Sequence, residues 1–354
     1  MNFTKSKTYL KTLEQYILQP LHNQLLLLSG KTLIITGVTG MIGSCLADAL
    51  LLWNSMTHNS IKLVGIGRNS VWAQKRFAYC WEDPCFAFIE HDISKPFCDF
   101  PETVDYIIHA ASNGDPVNFA KSPVDTLLAN VSGTNYLLDY GRKHGLKRFL
   151  YVSSGEAYGS PNANMDDFTE SYSGPINCSD PRSCYPEGKR AAEVLCQCYI
   201  SQYKTDAVIV RPCHIFGPTM TKSDSRALSQ FFRSAVDGKN IVLKSEGTVE
   251  RSQCYVMDAV SAILWILFAG DCGTVYNVAD PNYQMTIRAF AQKVAEAGNS
   301  KIVFEIPEDI EKKGYSKITR SVLDSSRIKN LGWAPKSGTN AIEETITILR
   351  EINY

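Results

Sequence analysis

Neither sign of charge prevails in this chain. Lys plus Arg and Asp plus Glu both total 36 among 354 residues, so no summed field draws the protein to nucleic acid or to an anionic membrane surface. An anionic ligand then has to be held by local groups. Continuous apolar runs of the ~20 residues a membrane helix needs are also missing. The opening segment MNFTKSKTYLKTLEQYILQPLHNQLLLLSGK scatters Lys and Glu among its apolar residues, which speaks against a signal or membrane helix and for a cytoplasmic protein. Neither an internal repeat nor a low-complexity segment is present. The eleven cysteines lack the paired two-residue gaps of a zinc site, both at Cys196-Gln197-Cys198 and at Cys80 with Cys85. Their odd number and irregular spacing point to reduced thiols rather than a disulfide framework, and no metal is expected.

What is there is a chain long enough for one large or two medium lobes with a sizeable core. From Lys31 onward, strand-like runs recur at 31–37, 61–67, 86–92, 104–111, 147–154 and 206–212, most of them separated by helical spacing. Runs this apolar on both faces suit a parallel sheet between helices. The expectation is an α/β, Rossmann-type doubly wound parallel sheet over residues 31–210. Residues 1–30 form a helical extension before it, with Leu25 to Leu28 closing an amphipathic helix laid against the first strand. Residues 211–354 form a smaller C-terminal α/β substrate lobe, with segments near 251–280 returning to the sheet domain.

TGVTGMIG sets Gly37, Gly40 and Gly43 at intervals of three, after a predicted strand and at the start of a predicted helix. The first glycine permits the tight turn, the second lets a pyrophosphate approach the backbone, and the third lets helix and strand pack closely. The phosphates then meet the N–H groups of the helix N-terminus, where Met41 and Ile42 lie. A dinucleotide site follows, to which Ile93 and Ala110, at later strand ends, are assigned as well. The second strand ends in GIGRNS, with Arg68 and no acid. That favours NADP or tolerance of it over NAD; the alternative is that Arg68 stacks on adenine with NAD bound. Asp92 either accepts from the adenine amino group or caps a turn.

The stretch DPRSCYPEGKRAAE places Tyr185 and Lys189 one helical turn apart, on the same side of a helix. Pro186 is tolerated only in the first turn, so the helix begins close to Tyr185. Near that positive end and beside an ammonium a phenol is expected to become more acidic and to exchange a proton with a substrate hydroxyl or carbonyl. KRFLYVSSGEAYG brings Ser153, Ser154 and Glu156 to the carboxyl edge of the sheet, where ligands collect.

Together with HAAS (109–112), NVSGTNYLL (130–138), RPCHIFGPTM (211–220), RSQCYVMDA (251–259), YNVAD (276–280) and LGWAP (331–335), these motifs resemble the extended short-chain dehydrogenase/reductase family, in its NAD-dependent epimerase/dehydratase, nucleotide-sugar branch. The resemblance runs from Lys31 to the C-terminus and is nearest to UDP-glucuronate decarboxylases, with 4,6-dehydratases, 4-ketoreductases and 4-epimerases close by. It implies that Tyr185 is the acid/base at the sugar C4 oxygen. Lys189 then holds the nicotinamide ribose, Ser154 bonds the same sugar oxygen, and Glu156 is the acid beside the ring. Arg251 matches the arginine that decarboxylases place near the charged end of the substrate. Arg226, Asn277 and Arg320 fall where relatives bind the nucleotide diphosphate. A homodimer through the helices bearing Asn130 and Tyr185 is implied too.

Two departures bear on the reaction. Gly155 stands where dehydratases carry an aspartate and decarboxylases a serine, and His214 stands where relatives usually carry asparagine, either contacting the sugar or simply packed. With Arg68, Gly155 leans toward a net reductase of a dTDP-4-keto-6-deoxyhexose using NAD(P)H. UDP-glucuronate decarboxylation and 4,6-dehydration are the alternatives, and a cofactor-binding scaffold without turnover is a third.

Overall fold

The alternation of apolar residues along the strand-like runs decides the architecture. Leu33 and Ile35 join one core and Ile34 another; Phe149 and Tyr151 alternate in the same way with Leu150 and Val152, as do Ala207 and Ile209 with Val208 and Val210. Strands buried on both faces require helices on both sides of the sheet. The computed structural model, which describes residues 3–97, 103–162, 167–305 and 320–354, has that arrangement.

The described strands are β1 (Thr32–Thr36), β2 (Lys62–Gly67), β3 (Phe86–Glu90), β4 (Tyr106–His109), β5 (Arg148–Val152), β6 (Ala207–Pro212), β7 (His214–Phe216), β8 (Ile241–Leu243), β9 (Glu250–Tyr255), β10 (Val275–Val278), β11 (Gln284–Thr286), β12 (Ile302–Phe304) and β13 (Arg320–Ser321). Seven of them form one parallel sheet in the order β10-β6-β5-β4-β1-β2-β3. The order reverses between β1 and β4, and the loops leaving their carboxyl ends part there to open a crevice. Helices Met41–Thr57 and Val256–Ala269 supply side chains to the core on one face; Pro123–Lys143 and Cys184–Tyr203 supply the other. Val256–Ala269 is buried around most of its circumference. Each of its leucines and isoleucines contributes about 1.5–3 kcal/mol by burial, which ties the segment firmly to the sheet.

Beyond β6 the chain builds small sheets. β9 pairs with β7, β11 and β13, and β8 pairs with β12. The β7 and β9 strands begin beside the crevice, so His214 and Arg251 are carried to its rim.

The N-terminal segment does not lie against the first strand, as the sequence suggested. Both faces of β1 are already covered, and the segment packs on the outer helices Met41–Thr57, Val256–Ala269 and Ala341–Glu351. Its apolar side chains Tyr9, Leu13, Ile17, Leu21, Leu25 and Leu28 are fully buried there. The Tyr9 hydroxyl donates to Asp48 at 2.5 Å and the Tyr16 hydroxyl to Glu344 at 2.7 Å. The buried Asp48 carboxylate also accepts from Tyr79 at 2.6 Å and pairs with Arg76. The ten described cysteines are free thiols. No described helix is long and apolar enough to cross a membrane.

Candidate active site

After β1 the chain turns through Gly37, whose φ of +67° is one that L side chains rarely adopt. A Cβ there would lie 2.8 Å from Ala111 Cα, and a Cβ on Gly43 would lie 2.3 Å from the Gly37 carbonyl oxygen. Neither position has room for a side chain. Gly40 then caps the helix Met41–Thr57 without any side-chain acceptor, so the N–H groups of its first turn are left to face the crevice. Gly37, Gly40, Met41, Ile42 and Gly43 all line a cavity of about 1450 Å³. A cradle of bare backbone donors at a helix N-terminus is the chemistry that a dinucleotide pyrophosphate requires, and these residues fit such a cofactor.

The same cavity is lined by Arg68, Asp92, Ile93 and Ala110 on one side and by Ser154, Glu156, Tyr185, Lys189, His214, Arg226 and Arg251 on the other. Arg68 donates to Asn113 Oδ1 at 3.2 Å. Asp92 accepts from the Ser94 N–H at 3.0 Å and from its hydroxyl at 2.8 Å. Burial pushes that carboxylate up, but the Ser94 donors and the charges of Arg68 and Lys95 outweigh it and hold the group below its usual range. Asp92 therefore caps its turn while still reaching the cavity.

The helix Cys184–Tyr203 starts one residue before Tyr185 and keeps Pro186 in its first turn. Lys189 is almost fully buried and donates to the Val152 carbonyl at 2.8 Å. Its Nζ lies 5.7 Å from the Tyr185 ring centroid and 4.9 Å from that of Tyr151. Burial pushes the Lys189 ammonium down to about 7, against the upward pull of Glu193. Burial likewise pushes the Tyr185 phenol up to about 12; the Ser154 hydroxyl lowers it and the Glu156 carboxylate raises it. The expectation of a phenol made acidic by the helix end and the ammonium is thus corrected. In the surroundings the protein itself supplies, desolvation outweighs the lowering by the Ser154 hydroxyl and the Arg226 charge.

Ser154 Oγ accepts the Glu156 N–H at 3.2 Å, closing the turn Gly155–Tyr158 that aims Glu156 at the cavity. Arg182 stands 3.9 Å from Glu156. His214 Nε2 meets Arg251 Nη1 at 3.1 Å. Burial and the charges of Arg251 and Arg226 push that imidazole down to about 3, so it is neutral and accepts the bond. Arg226 pairs with Asp224 at 2.6 Å and faces the cavity rather than bulk solvent.

Two residues assigned to the substrate stand elsewhere. Asn277 is fully buried: it accepts the Tyr158 hydroxyl at 2.6 Å and donates to the Phe168 and Asp324 carbonyls at 2.8 and 2.9 Å, so its amide serves to pin loops. Arg320 spans Asp167 and Glu250 in two ion pairs and does not line the cavity. Asn113, Arg182 and Lys222 are among the lining groups that escaped the sequence reading. Arg182 sits in the same short stretch as Tyr185, which was the one available signal; the other two come from loops with no pattern to read.

A doubly wound sheet with a bare-backbone phosphate cradle, and a tyrosine and a lysine facing one cavity, defines a nicotinamide-dependent enzyme of the short-chain dehydrogenase type. The chain belongs to the NAD dependent epimerase/dehydratase family, whose model matches residues 33–279. It is 33% identical over 323 residues to UDP-glucuronic acid decarboxylase 6 of Arabidopsis thaliana, covering 90% of this chain and 88% of that one. It is 30% identical over 309 residues to UDP-glucuronic acid decarboxylase 1 of Xenopus tropicalis, covering 86% of this chain and 68% of that one. Among solved structures it resembles the dTDP-glucose 4,6-dehydratase DesIV of Streptomyces venezuelae with NAD bound, with a TM-score of 0.74 and 23% identity over 90% of this chain and 97% of that one. The UDP-glucuronic acid 4-epimerase of Bacillus cereus, in complex with UDP-glucuronic acid and NAD, aligns with a TM-score of 0.73 and 21% identity over 91% of this chain and 99% of that one.

Proposed function

We propose that the protein acts at C4 of a nucleotide-diphosphate sugar that carries a carboxylate, in the manner of a UDP-glucuronate decarboxylase. The observation that carries this reading is Arg251. It faces the cavity that holds Tyr185, gives one N–H to a neutral histidine, and has no carboxylate partner among the described residues; its Nε is buried without a hydrogen bond. A half-buried cation that feels the Glu156 charge but makes no ion pair with it suits an anionic group on the substrate. The similarity to decarboxylases over most of both chains supports the same choice.

The bound nicotinamide would supply the hydride acceptor and donor, held by the Gly37–Gly43 turn, Arg68, Asp92 and Lys189. In this reading Tyr185 takes the proton from the sugar O4, as the C4 carbonyl forms, in its phenolate state, a form that the positive charge of the oxidised nicotinamide would favour against the desolvation acting in the protein alone, and Ser154 steadies that oxygen by a hydrogen bond. The carboxylate is then β to a ketone, so the bond to carbon dioxide can break with its electron pair flowing toward O4. Arg251 holds the carboxylate out of plane until it leaves. Glu156, which lines the same cavity, would relay a proton from solvent to C5, and Tyr185 returns its own when C4 is reduced. A homodimer belongs to the same proposal, supported by the exposed apolar residues Val124, Leu128, Val194 and Tyr203 on the helices Pro123–Lys143 and Cys184–Tyr203.

Gly155 favours a second reading, net reduction of a dTDP-4-keto-6-deoxyhexose. A Cβ there would lie 3.3 Å from Leu323 Cδ1, so an apolar side chain faces the place where an extra acid or hydroxyl would stand. The two readings part in one assay. With UDP-glucuronate, carbon dioxide release without net cofactor change is expected. NAD(P)H consumption with the 4-keto-6-deoxy sugar, and no gas from UDP-glucuronate, would transfer the assignment to the reductase.

A further inference from the structure

One turn beyond Lys189 on the same helix lies Glu193, which faces inward and is 7% exposed. It accepts from Arg211 on β6 through Nε at 2.9 Å and Nη2 at 2.6 Å. It accepts as well from the Ser153 hydroxyl at 2.5 Å. Ser153 follows Val152, whose carbonyl receives the Lys189 ammonium, and precedes Ser154, whose hydroxyl faces the phenol. One carboxylate therefore joins the catalytic helix, the end of β5 and β6. Nothing about packing demands a charge here. A bidentate pair this deeply buried loses much of its attraction to desolvation, and apolar residues of similar volume would serve stability as well.

We propose that Glu193 is a positioning residue: clamped by Arg211 and Ser153, it supplies the counter-charge for Lys189 and locks the end of β5 so that Lys189 and Ser154 are held around Tyr185. This rests on the assignment of Tyr185 and Lys189 as the working pair and on no particular sugar. The other groups around the ammonium give it no negative charge at neutral pH. They are the phenols of Tyr151 on β5 and Tyr185 on its own helix, and His109 on β4, which is neutral and whose protonation Lys189 opposes. The Glu193 carboxylate pulls Lys189 toward its charged form.

The test titrates Lys189 directly, without substrate or turnover. In the cofactor-free protein, trace acetylation with acetic anhydride at a series of pH values, read at Lys189 by mass spectrometry, gives the midpoint of its protonation. Glu193→Gln should lower that midpoint by about one pH unit, the size of effect expected of a nearby opposite charge, and Glu193→Asp should restore it. A folded Glu193→Gln protein with an unchanged or raised midpoint overturns the proposal. Should that variant fail to fold because Arg211 is left unpaired, Glu193→Gln with Arg211→Gln provides the same reading. Failure of the decarboxylase assignment would appear only in the sugar assays and would leave this titration as it is.

Discussion

Phe119 lies face to face with Tyr185, their ring centroids 5.3 Å apart and their planes 17° from parallel. Phe119 itself is 2% exposed, so the phenol rests against a fixed surface and its hydroxyl is aimed by packing as well as by the helix. Stacked aromatic pairs contribute about 0.5–1.5 kcal/mol beyond their burial. Phe119→Leu keeps an apolar filler but removes that face. The expected outcome is a fall in kcat of about 2- to 12-fold, with cofactor Kd unchanged, measured by steady-state kinetics and cofactor titration.

Tyr185→Phe deletes one hydroxyl and leaves the ring in its stack. Activity should drop by about 10² to 10⁴-fold, the usual contribution of a positioned proton donor. Cofactor affinity, measured by fluorescence titration, should stay within a factor of about two of the unaltered protein, because the lysine and the glycine turn remain; a lost cofactor site would contradict the role given to the phenol.

Arg68→Asp should move cofactor preference toward NAD by turning a side chain that tolerates a 2′-phosphate into one that accepts from a 2′-hydroxyl. Comparing Kd for NADH and NADPH in the two proteins reads this out. Equal selectivity would mean that the 2′ position is sensed elsewhere.

Acid should weaken the fold through His109. Its ring is fully buried, with Nδ1 2.7 Å from the Thr36 hydroxyl, and burial followed by the Lys189 charge pushes it down to about 3. Between about pH 6.5, the ordinary histidine value, and that lowered one, the unfolded chain binds a proton that the folded chain refuses. Stability from this group is therefore complete above pH 6.5 and lost as pH falls, by about 1.4 kcal/mol per pH unit within the window. Urea unfolding at pH 7, 6, 5 and 4 measures the slope, which His109→Asn should flatten.

The buried pair of Asp48 with Arg76 gives a contrast in stability. Arg76→Met leaves a carboxylate buried without its cation and should cost about 3–5 kcal/mol. Tyr9→Phe removes one hydrogen bond to the same carboxylate and should cost about 1.5–3 kcal/mol. It would also loosen the N-terminal segment, visible as faster amide exchange across residues 7–13.

Much of this protein could be read along the chain. Two-sided apolar runs with β-branched residues give the parallel sheet, the glycines at three-residue intervals give the phosphate cradle, and the spacing of Tyr185 and Lys189 gives a shared helix face, because each depends on neighbours only a few residues away. The same local character explains the misplacement of the N-terminal segment: amphipathic spacing shows that a helix has a buried face but not what buries it. The roles proposed for Asn277 and Arg320 could not be checked along the chain either, since polar and charged side chains find their partners across the fold. Asn277 meets carbonyls of loops more than forty residues away in sequence, and Arg320 meets two carboxylates.

By itself, then, the sequence determined a dinucleotide fold with a tyrosine and a lysine one turn apart, since these follow from periodicity and from the stereochemistry of glycine. Only the tertiary structure decided the protonation of that pair, the stacking of Phe119 on the phenol and the clamp of Glu193 by Arg211 and Ser153. Burial and charge act through space, and the residues that supply them are far apart in the chain.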